Sequence, residues 1–390
     1  MKKSLLLFTV FLISNYAYSQ SKNLENQVLQ KVYEKLNSIN SISFNQTREL
    51  NYASENYNDI SNWNCYYVKD SKENLLGFKF QIQNPDFSDF FNGTEYFSLN
   101  KQDKTYVVQN EIDTESFNTK SYLYNSVLTL SNILPILIKD ESAEKIVSDT
   151  LIDGKQFKNI KINLGKRSFK NSGKGFYQGK TERDFIYKIL IDAKTFLPKE
   201  ILQTNNQNSD FTKVSFSNYN LNPQKPEENS WFYSTYKNEY KPFEEKTLIQ
   251  LALGEKAPNW KLELLNKKET IDLEQLKGKV VLLDFWIKNC GACIENVDFL
   301  NKIYEKYKDK NFELLGINSY DTTENINFFY EKHGLKYPVL TNGKSILEKY
   351  GVNAFPTIFI LDKEGKIIYS DIINADRSQI ETIINSALEK

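Results

Sequence analysis

Histidine occurs once in the 390 residues, methionine once and cysteine three times. Nowhere does an apolar run approach the roughly 20 residues that a bilayer-spanning helix needs. Three cysteines are too few for a scaffold stapled by disulfides. Together with a single histidine they leave little for a metal centre built on those ligands. Lys+Arg 50 balance Asp+Glu 50, a formal net charge of +0, so the basic footprint of a nucleic-acid binder is missing. What is present is apolar and aromatic material, 40% and 14% of the chain, the latter mostly Tyr 24 and Phe 26. That argues against wholesale disorder, leans toward strands and suffices for two or three domain cores.

The N-terminus reads as an export signal. Lys2 and Lys3 precede the apolar run Leu5 to Ile13, and Ala17-Tyr18-Ser19 supplies small residues at the spacing of a signal-peptidase site, leaving Gln20 as the new terminus. The run is too short to span a bilayer. No cysteine precedes Cys65, so this segment carries no lipoprotein attachment site. The expectation is a cleaved signal over 1–19 and an exported, periplasmic chain without a transmembrane span. Met1 as sole methionine suits an oxidising compartment, as it would suit a nucleotide-composition bias.

Leu24, Val28, Val32, Leu36 and Ile39 recur at helical spacing. Short aromatic and β-branched segments follow, among them Cys65 to Val68, Phe78 to Ile82, Tyr106 to Val108, Phe157 to Leu164, Phe185 to Ile191 and Val214 to Tyr219. Between them, Tyr122 to Lys139 predicts a helix. The expectation over 20–222 is an α+β domain, an antiparallel sheet decorated by helices. Residues 223–253, rich in Pro, Lys, Glu, Asn and Tyr up to Lys246, read as a connector. From 254 to 390 the pattern becomes α/β. Val280 to Trp286 is a strand apolar enough to be buried on both faces. Cys293 to Lys308 predicts a helix, Phe312 to Asn318 a strand, and Glu324 to His333 a helix ended by Gly334. Pro356 to Leu361 and Lys366 to Ser370 predict strands, and Asp376 with Gln379 a capping box opening a last helix.

The chemistry concentrates at Cys290-Gly291-Ala292-Cys293, after the buried strand and at the start of a helix. A helix N-terminus offers unpaired N–H groups and partial positive charge, which favour a thiolate. Two intervening residues let the pair close a disulfide, so one thiol resolves what the other forms. A zinc half-site would need a second ligand pair, and only Cys65 and His333 remain. Inert core thiols are the other alternative. Asp284 inside an apolar strand is costly without a task or partner.

Residues 254–390 resemble the thioredoxin fold, and within it the TlpA/ResA group of exported thiol–disulfide oxidoreductases. The resemblance rests on Gly254 to Trp260, on Gly278 to Trp286 with the C-x-x-C, on Tyr350-Gly351-Val352 with Phe355-Pro356-Thr357, and on Asp362 to Lys366. It implies that Cys290 is the exposed nucleophile, Cys293 the resolving thiol of a redox-active disulfide, Pro356 a cis-proline beside the sulfurs, and Asp284 a buried proton carrier. It further implies a substrate groove at Trp286, Gly291, Ala292 and Phe355, no bound cofactor, disulfides of exported proteins as substrates and a membrane thiol-transfer protein as electron donor. The chain departs from the pattern at Ala292, where many relatives have Pro, at Asn289, where many have Trp, and at Asn296, where some have Glu. The region 20–222, with Ile189 to Glu200, resembles the LolA-type half-barrel of lipoprotein carriers. That implies a curved sheet with an apolar concavity, unless Tyr122 to Lys139 fills it. A hydrophobic-ligand or lipoprotein carrier with an accessory redox domain is the alternative reading. Cys65 reads as a packed thiol.

Overall fold

The computed structural model describes residues 25–244, 248–372 and 377–390. The expected signal over 1–19, Leu24, Lys246 and Asp376 lie outside them. The chain divides into two compact units, Met1–Glu244 and Glu245–Lys390.

The first unit opens with a helix, α1 (25–37), whose Val28, Leu29, Val32 and Leu36 are buried. Strands β1 (Ser41–Tyr52), β2 (Tyr57–Lys69), β3 (Phe78–Gln83), β4 (Phe87–Phe91), β5 (Tyr96–Asn100) and β6 (Thr105–Gln109) follow as an antiparallel meander. Helix α2 (Val127–Lys139) is capped by Ser126, whose hydroxyl accepts the Thr129 N–H. Then come β7 (Glu144–Ile152), β8 (Lys155–Asn163), the small hairpin β9 (Arg167–Phe169) and β10 (Phe176–Gln178), β11 (Phe185–Asp192), β12 (Pro198–Asn205), β13 (Phe211–Asn220) and the short β14 (Lys241–Pro242). All but the hairpin join one twelve-stranded sheet in the order β14-β6-β5-β4-β3-β2-β1-β13-β12-β11-β8-β7. The sheet is open, with β14 and β7 at its ends.

Alternation along the strands decides which face each ring covers. Phe80, Phe91 and Tyr96 pack with α1 and α2 in the main core, where Leu128, Leu130, Ile133, Leu134 and Leu137 of α2 are buried. The apolar face is therefore filled by the chain's own helices rather than left as a groove. A cleft of about 460 Å³ elsewhere on this unit is lined by Lys69, Asp70, Lys79, Asn92 and Lys225 beside Tyr66 and Trp231. The opposite face carries Phe90, Phe97 and Leu99, and these are covered by Tyr233, Tyr236 and Tyr240. The stretch read from composition as a connector thus splits. Residues 223–244 are cover for the sheet, through Phe90 and Phe97 stacked at 4.5 Å with Tyr236 against them. Tyrosines spaced among polar residues carry too little periodicity to announce that packing.

The second unit is a seven-stranded sheet, order β16-β15-β19-β18-β17-β20-β21. Its members are β15 (Lys261–Leu264), β16 (Thr270–Asp272), β17 (Val280–Trp286), β18 (Phe312–Asn318), β19 (Val339–Thr341), β20 (Thr357–Leu361) and β21 (Ile367–Ile372). β17, β18 and β19 are parallel, connected through α3 (Gly291–Tyr307) and α4 (Thr323–His333), whereas β20 runs antiparallel to β17. Helices α5 (Lys344–Tyr350) and α6 (Arg377–Glu389) complete a thioredoxin-like fold. The short β15, β16, β19 and α5 are too brief for a periodic signal. Gly334 ends α4 in the left-handed region that glycine adopts without strain.

Leu248 and Leu251, upstream of the apparent domain opening at Gly254, pack against this unit's core. A fragment 245–390 is therefore expected to fold alone and to be more stable than 254–390, by about 1–3 kcal/mol for two half-buried leucines. Urea unfolding of both fragments checks this. Equal midpoints would show that the two leucines contribute nothing.

Candidate active site

All seven residues of β17 are buried, and they alternate between two cores. Val281, Leu283 and Phe285 face the layer containing α5. Val280, Leu282 and Trp286 face the layer of α3, α4 and α6, which also contains Cys293. By parity Asp284 shares this second face, and its Oδ2 accepts a hydrogen bond from the Tyr337 hydroxyl at 3.0 Å. Its Oδ1 is buried without a partner among the described residues. Burial pushes the Asp284 carboxyl up to about 7, against a smaller downward pull from the Tyr337 bond. Burial, and then the neighbouring carboxyl, push the Tyr337 phenol well above its ordinary value, so it stays a donor.

The partner across β18 is Gly316, in register with Asp284. A Cβ there would meet Trp286 Nε1 at 2.9 Å and Tyr337 Cε2 at 3.1 Å. The glycine makes room for the two rings that flank the carboxyl. Trp286 is stacked on Phe329, centroids 4.4 Å apart, and fully buried. It supports the site from beneath and does not line a groove, which corrects the expectation drawn from its position before the C-x-x-C.

Cys290 and Cys293 form a disulfide, with their Cα atoms 5.2 Å apart. Cys290 is the N-cap of α3, and its Sγ accepts the Cys293 N–H at 3.1 Å. The helix thus begins at Gly291, two residues earlier than the apolar periodicity suggests, because the cap comes from sulfur. Cys290 is half-buried, Cys293 buried, Gly291 exposed and Ala292 half-buried. Positive charge at this helix start favours a thiolate on Cys290 once the bond is reduced. The peptide bond Phe355–Pro356 is cis. Phe285 pairs with Thr357, which brings Pro356 to the end of β17 where the active loop leaves. Phe355 is half-buried, its ring edge-on to that of exposed Tyr320 at 6.1 Å.

Lys288, two residues before Cys290, is only 3% exposed. Its Nζ donates to Asn325 Oδ1 at 3.0 Å and lies over the Phe328 ring, and its backbone N–H donates to Asp321 Oδ2 at 2.7 Å. Asp321 also accepts from the Asn318 side chain at 2.8 Å. The loop before the nucleophile is thereby tied to the loop after β18. Asn296, where some relatives have Glu, accepts from Arg377 at 3.0 Å. Cys65 is buried in the first unit and its thiol is pushed far up by burial, as for an inert group. His333 sits in the last turn of α4 with its ring 4.6 Å from that of Phe329.

Tyr337, Gly316, Lys288 and Tyr320 were not singled out from sequence. A glycine inside an apolar strand is a recognised sign of close approach and could have pointed to Gly316. Tyr337 lies 53 residues from Asp284 and offers no local signal.

The raised Asp284 carboxyl has a stability consequence with a definite sign. The folded state holds the proton more tightly than the unfolded state, so this stabilisation is complete below about pH 4 and is lost as pH rises toward 7. At about 1.4 kcal/mol per unit the loss approaches about 4 kcal/mol. Asp284→Asn is expected to abolish this slope and to gain on the parent between pH 5 and 8, read by urea midpoints of the oxidised protein. Parallel curves for the two proteins would refute a buried, protonating carboxyl. Gly316→Ala is expected to destabilise by about 1–3 kcal/mol through crowding of Trp286 and Tyr337, measured by the same unfolding curves.

The redoxin family model matches residues 252–384. The thiol-disulfide oxidoreductase ResA of Bacillus thuringiensis (strain Al Hakam) is 36% identical over 133 residues, covering 34% of this chain and 76% of the relative. The ResA of Bacillus subtilis (strain 168) is 33% identical over 116 residues, 30% of this chain and 64% of the relative. The thioredoxin domain of a thiol-disulfide oxidoreductase from Bacteroides vulgatus, a crystal structure, is 30% identical and covers 35% of this chain and 100% of its own, with a TM-score of 0.33. A relative more than a third identical, matched over three quarters of its length and carrying the same kind of chemistry that the Cys290–Cys293 disulfide displays, assigns the chain to a family: it belongs to the ResA-like thiol–disulfide oxidoreductases of the redoxin class.

Proposed function

We propose that this chain is an exported, periplasmic protein-disulfide reductase working through Cys290 and Cys293. The observation that carries the reading is the asymmetry of the pair. Cys290 is half-exposed at the start of α3, whereas Cys293 is buried in the core that Asp284 faces. In the reduced chain, the Cys290 thiolate attacks a substrate disulfide. The substrate S–S bond breaks, a mixed disulfide forms and one substrate thiolate leaves and takes up a proton. Cys293 then gives its proton to Asp284 and attacks Cys290 Sγ. The second substrate thiolate leaves, and the Cys290–Cys293 bond closes. Two electrons have passed to the substrate, and a thiol-transfer protein in the membrane returns them.

A carboxyl held near 7 can both accept and return a proton at neutral pH. The cis bond before Pro356 near the end of β17, half-buried Phe355 and exposed Gly291 with half-buried Ala292 support a groove in which a substrate backbone approaches the sulfurs. The cleaved signal over 1–19 accounts for export. Among the described residues no helix is long and apolar enough to cross a membrane.

The test is a substitution series with dithiothreitol as donor and a disulfide-bonded protein as acceptor. Cys290→Ser is expected to abolish turnover, and Cys293→Ser to accumulate a mixed disulfide visible on non-reducing gels. Asp284→Asn is expected to slow turnover by about 10–100-fold and to remove an inflection near pH 7. Full turnover by Cys290→Ser would overturn the assignment of the nucleophile. An unchanged pH profile in Asp284→Asn would leave the carboxyl without a part in proton transfer.

A further inference from the structure

Strand β7 (Glu144–Ile152) ends the twelve-stranded sheet. Each of its residues is in register with β8 on one side, and among the described residues no strand pairs with the other. Natural edges are blunted by charged side chains, by proline, by bulges or by short length, and of these β7 has only the charges of Glu144, Lys145 and Asp149. β7 has no proline or glycine, its register with β8 is unbroken, and it is long for an edge. It also exposes large apolar side chains on both faces: Ile146 at 48%, Leu151 at 66% and Ile152 at 42%. A sheet edge with no further strand beside it among the described residues and unburied apolar side chains thus coincide on one nine-residue segment.

We propose that β7 is the docking edge for a second copy of this chain, joined antiparallel about a two-fold axis through Asp149. Such an axis stands perpendicular to the sheet, so residues that face each other must point to the same side. With Asp149 opposite itself, Ile146 meets Ile152 of the second copy, Val147 meets Leu151 and Ser148 meets Thr150. Every exposed apolar residue of the strand then finds an apolar partner, twice over by symmetry. Val147 already packs against the main core, so the Val147–Leu151 pairs continue that core across the axis. The like charges at the centre are offset, because each Asp149 carries its own Lys158 at 2.5 Å.

The neighbouring registers lack this match. Centring on Ser148 sets Lys145 against Leu151 and Glu144 against Ile152. Centring on Val147 sets Ile146 against Ser148 and leaves Leu151 and Ile152 without partners on the strand. Because a one-residue slip would exchange the faces, no intermediate register is available to a two-fold pair.

Sedimentation equilibrium of the full chain tests the proposal. A monomer–dimer equilibrium is expected. Ile146→Lys and Leu151→Lys each remove an apolar match at two symmetric places, and each is expected to weaken the dimer by about tenfold or more. Both sites are exposed, so far-UV circular dichroism and intact disulfide reductase activity are expected to show an unchanged fold. In a Cys290→Ser/Cys293→Ser background, Asp149→Cys is expected to give a covalent dimer on mild oxidation. A parent chain that stays monomeric at about 100 µM, a dimer indifferent to both lysine substitutions, or open-ended polymers in place of dimers would each overturn the proposal.

Discussion

The burial of one carboxyl in a strand that is covered on both faces is the constraint from which the redox unit can be understood. β17 has no solvent side, and six of its seven residues are apolar. Asp284 can be held there only by giving up its charge through part of the pH range and by taking a hydrogen bond from Tyr337. That bond requires β19 and its approach to lie against β18. The approach requires Gly316, because any side chain would strike Trp286 and Tyr337. Trp286 in turn requires Phe329 as a stacking surface, which sets where α4 lies. Strand, glycine, rings and helix are thus adjusted to a single ionisable group.

The parts of the molecule legible in the sequence are those with local causes. Seven consecutive strand residues with one carboxylate, two cysteines at helix-start spacing and an aromatic before a proline are each readable within a short window, and all lie at the site. The chemistry was therefore visible before the fold. Tyr337 and Lys288 were not, because their roles depend on partners brought by other strands and helices. Trp286 shows the opposite failure. Its place beside the motif suggested a surface role, yet strand alternation directs it into the core.

The first unit was legible in its elements and less so in its packing. Its aromatic strands suggest surplus apolar surface, and the surplus is consumed on two sides. α1 and α2 cover one face, and a tyrosine-bearing segment between 231 and 240 covers part of the other. Aromatic content alone does not reveal whether a sheet keeps a cavity. The decision rests on how much chain returns to lie across it, and here the returning chain is polar enough in composition to resemble a linker.

Lys288 has a mechanical meaning. Through its ammonium and its backbone N–H it joins the segment before Cys290 to the turn after β18 and to the first turns of α4. Trp286 and Phe329 make the same connection a few residues away. The reactive sulfur is therefore carried on a stiff mount, braced at two points against one helix. A nucleophile so mounted leaves the bending to whatever approaches it. If a disulfide-bonded chain is what meets Cys290, alignment of the two sulfurs then falls to the compliance of that chain rather than to the loop that carries the nucleophile.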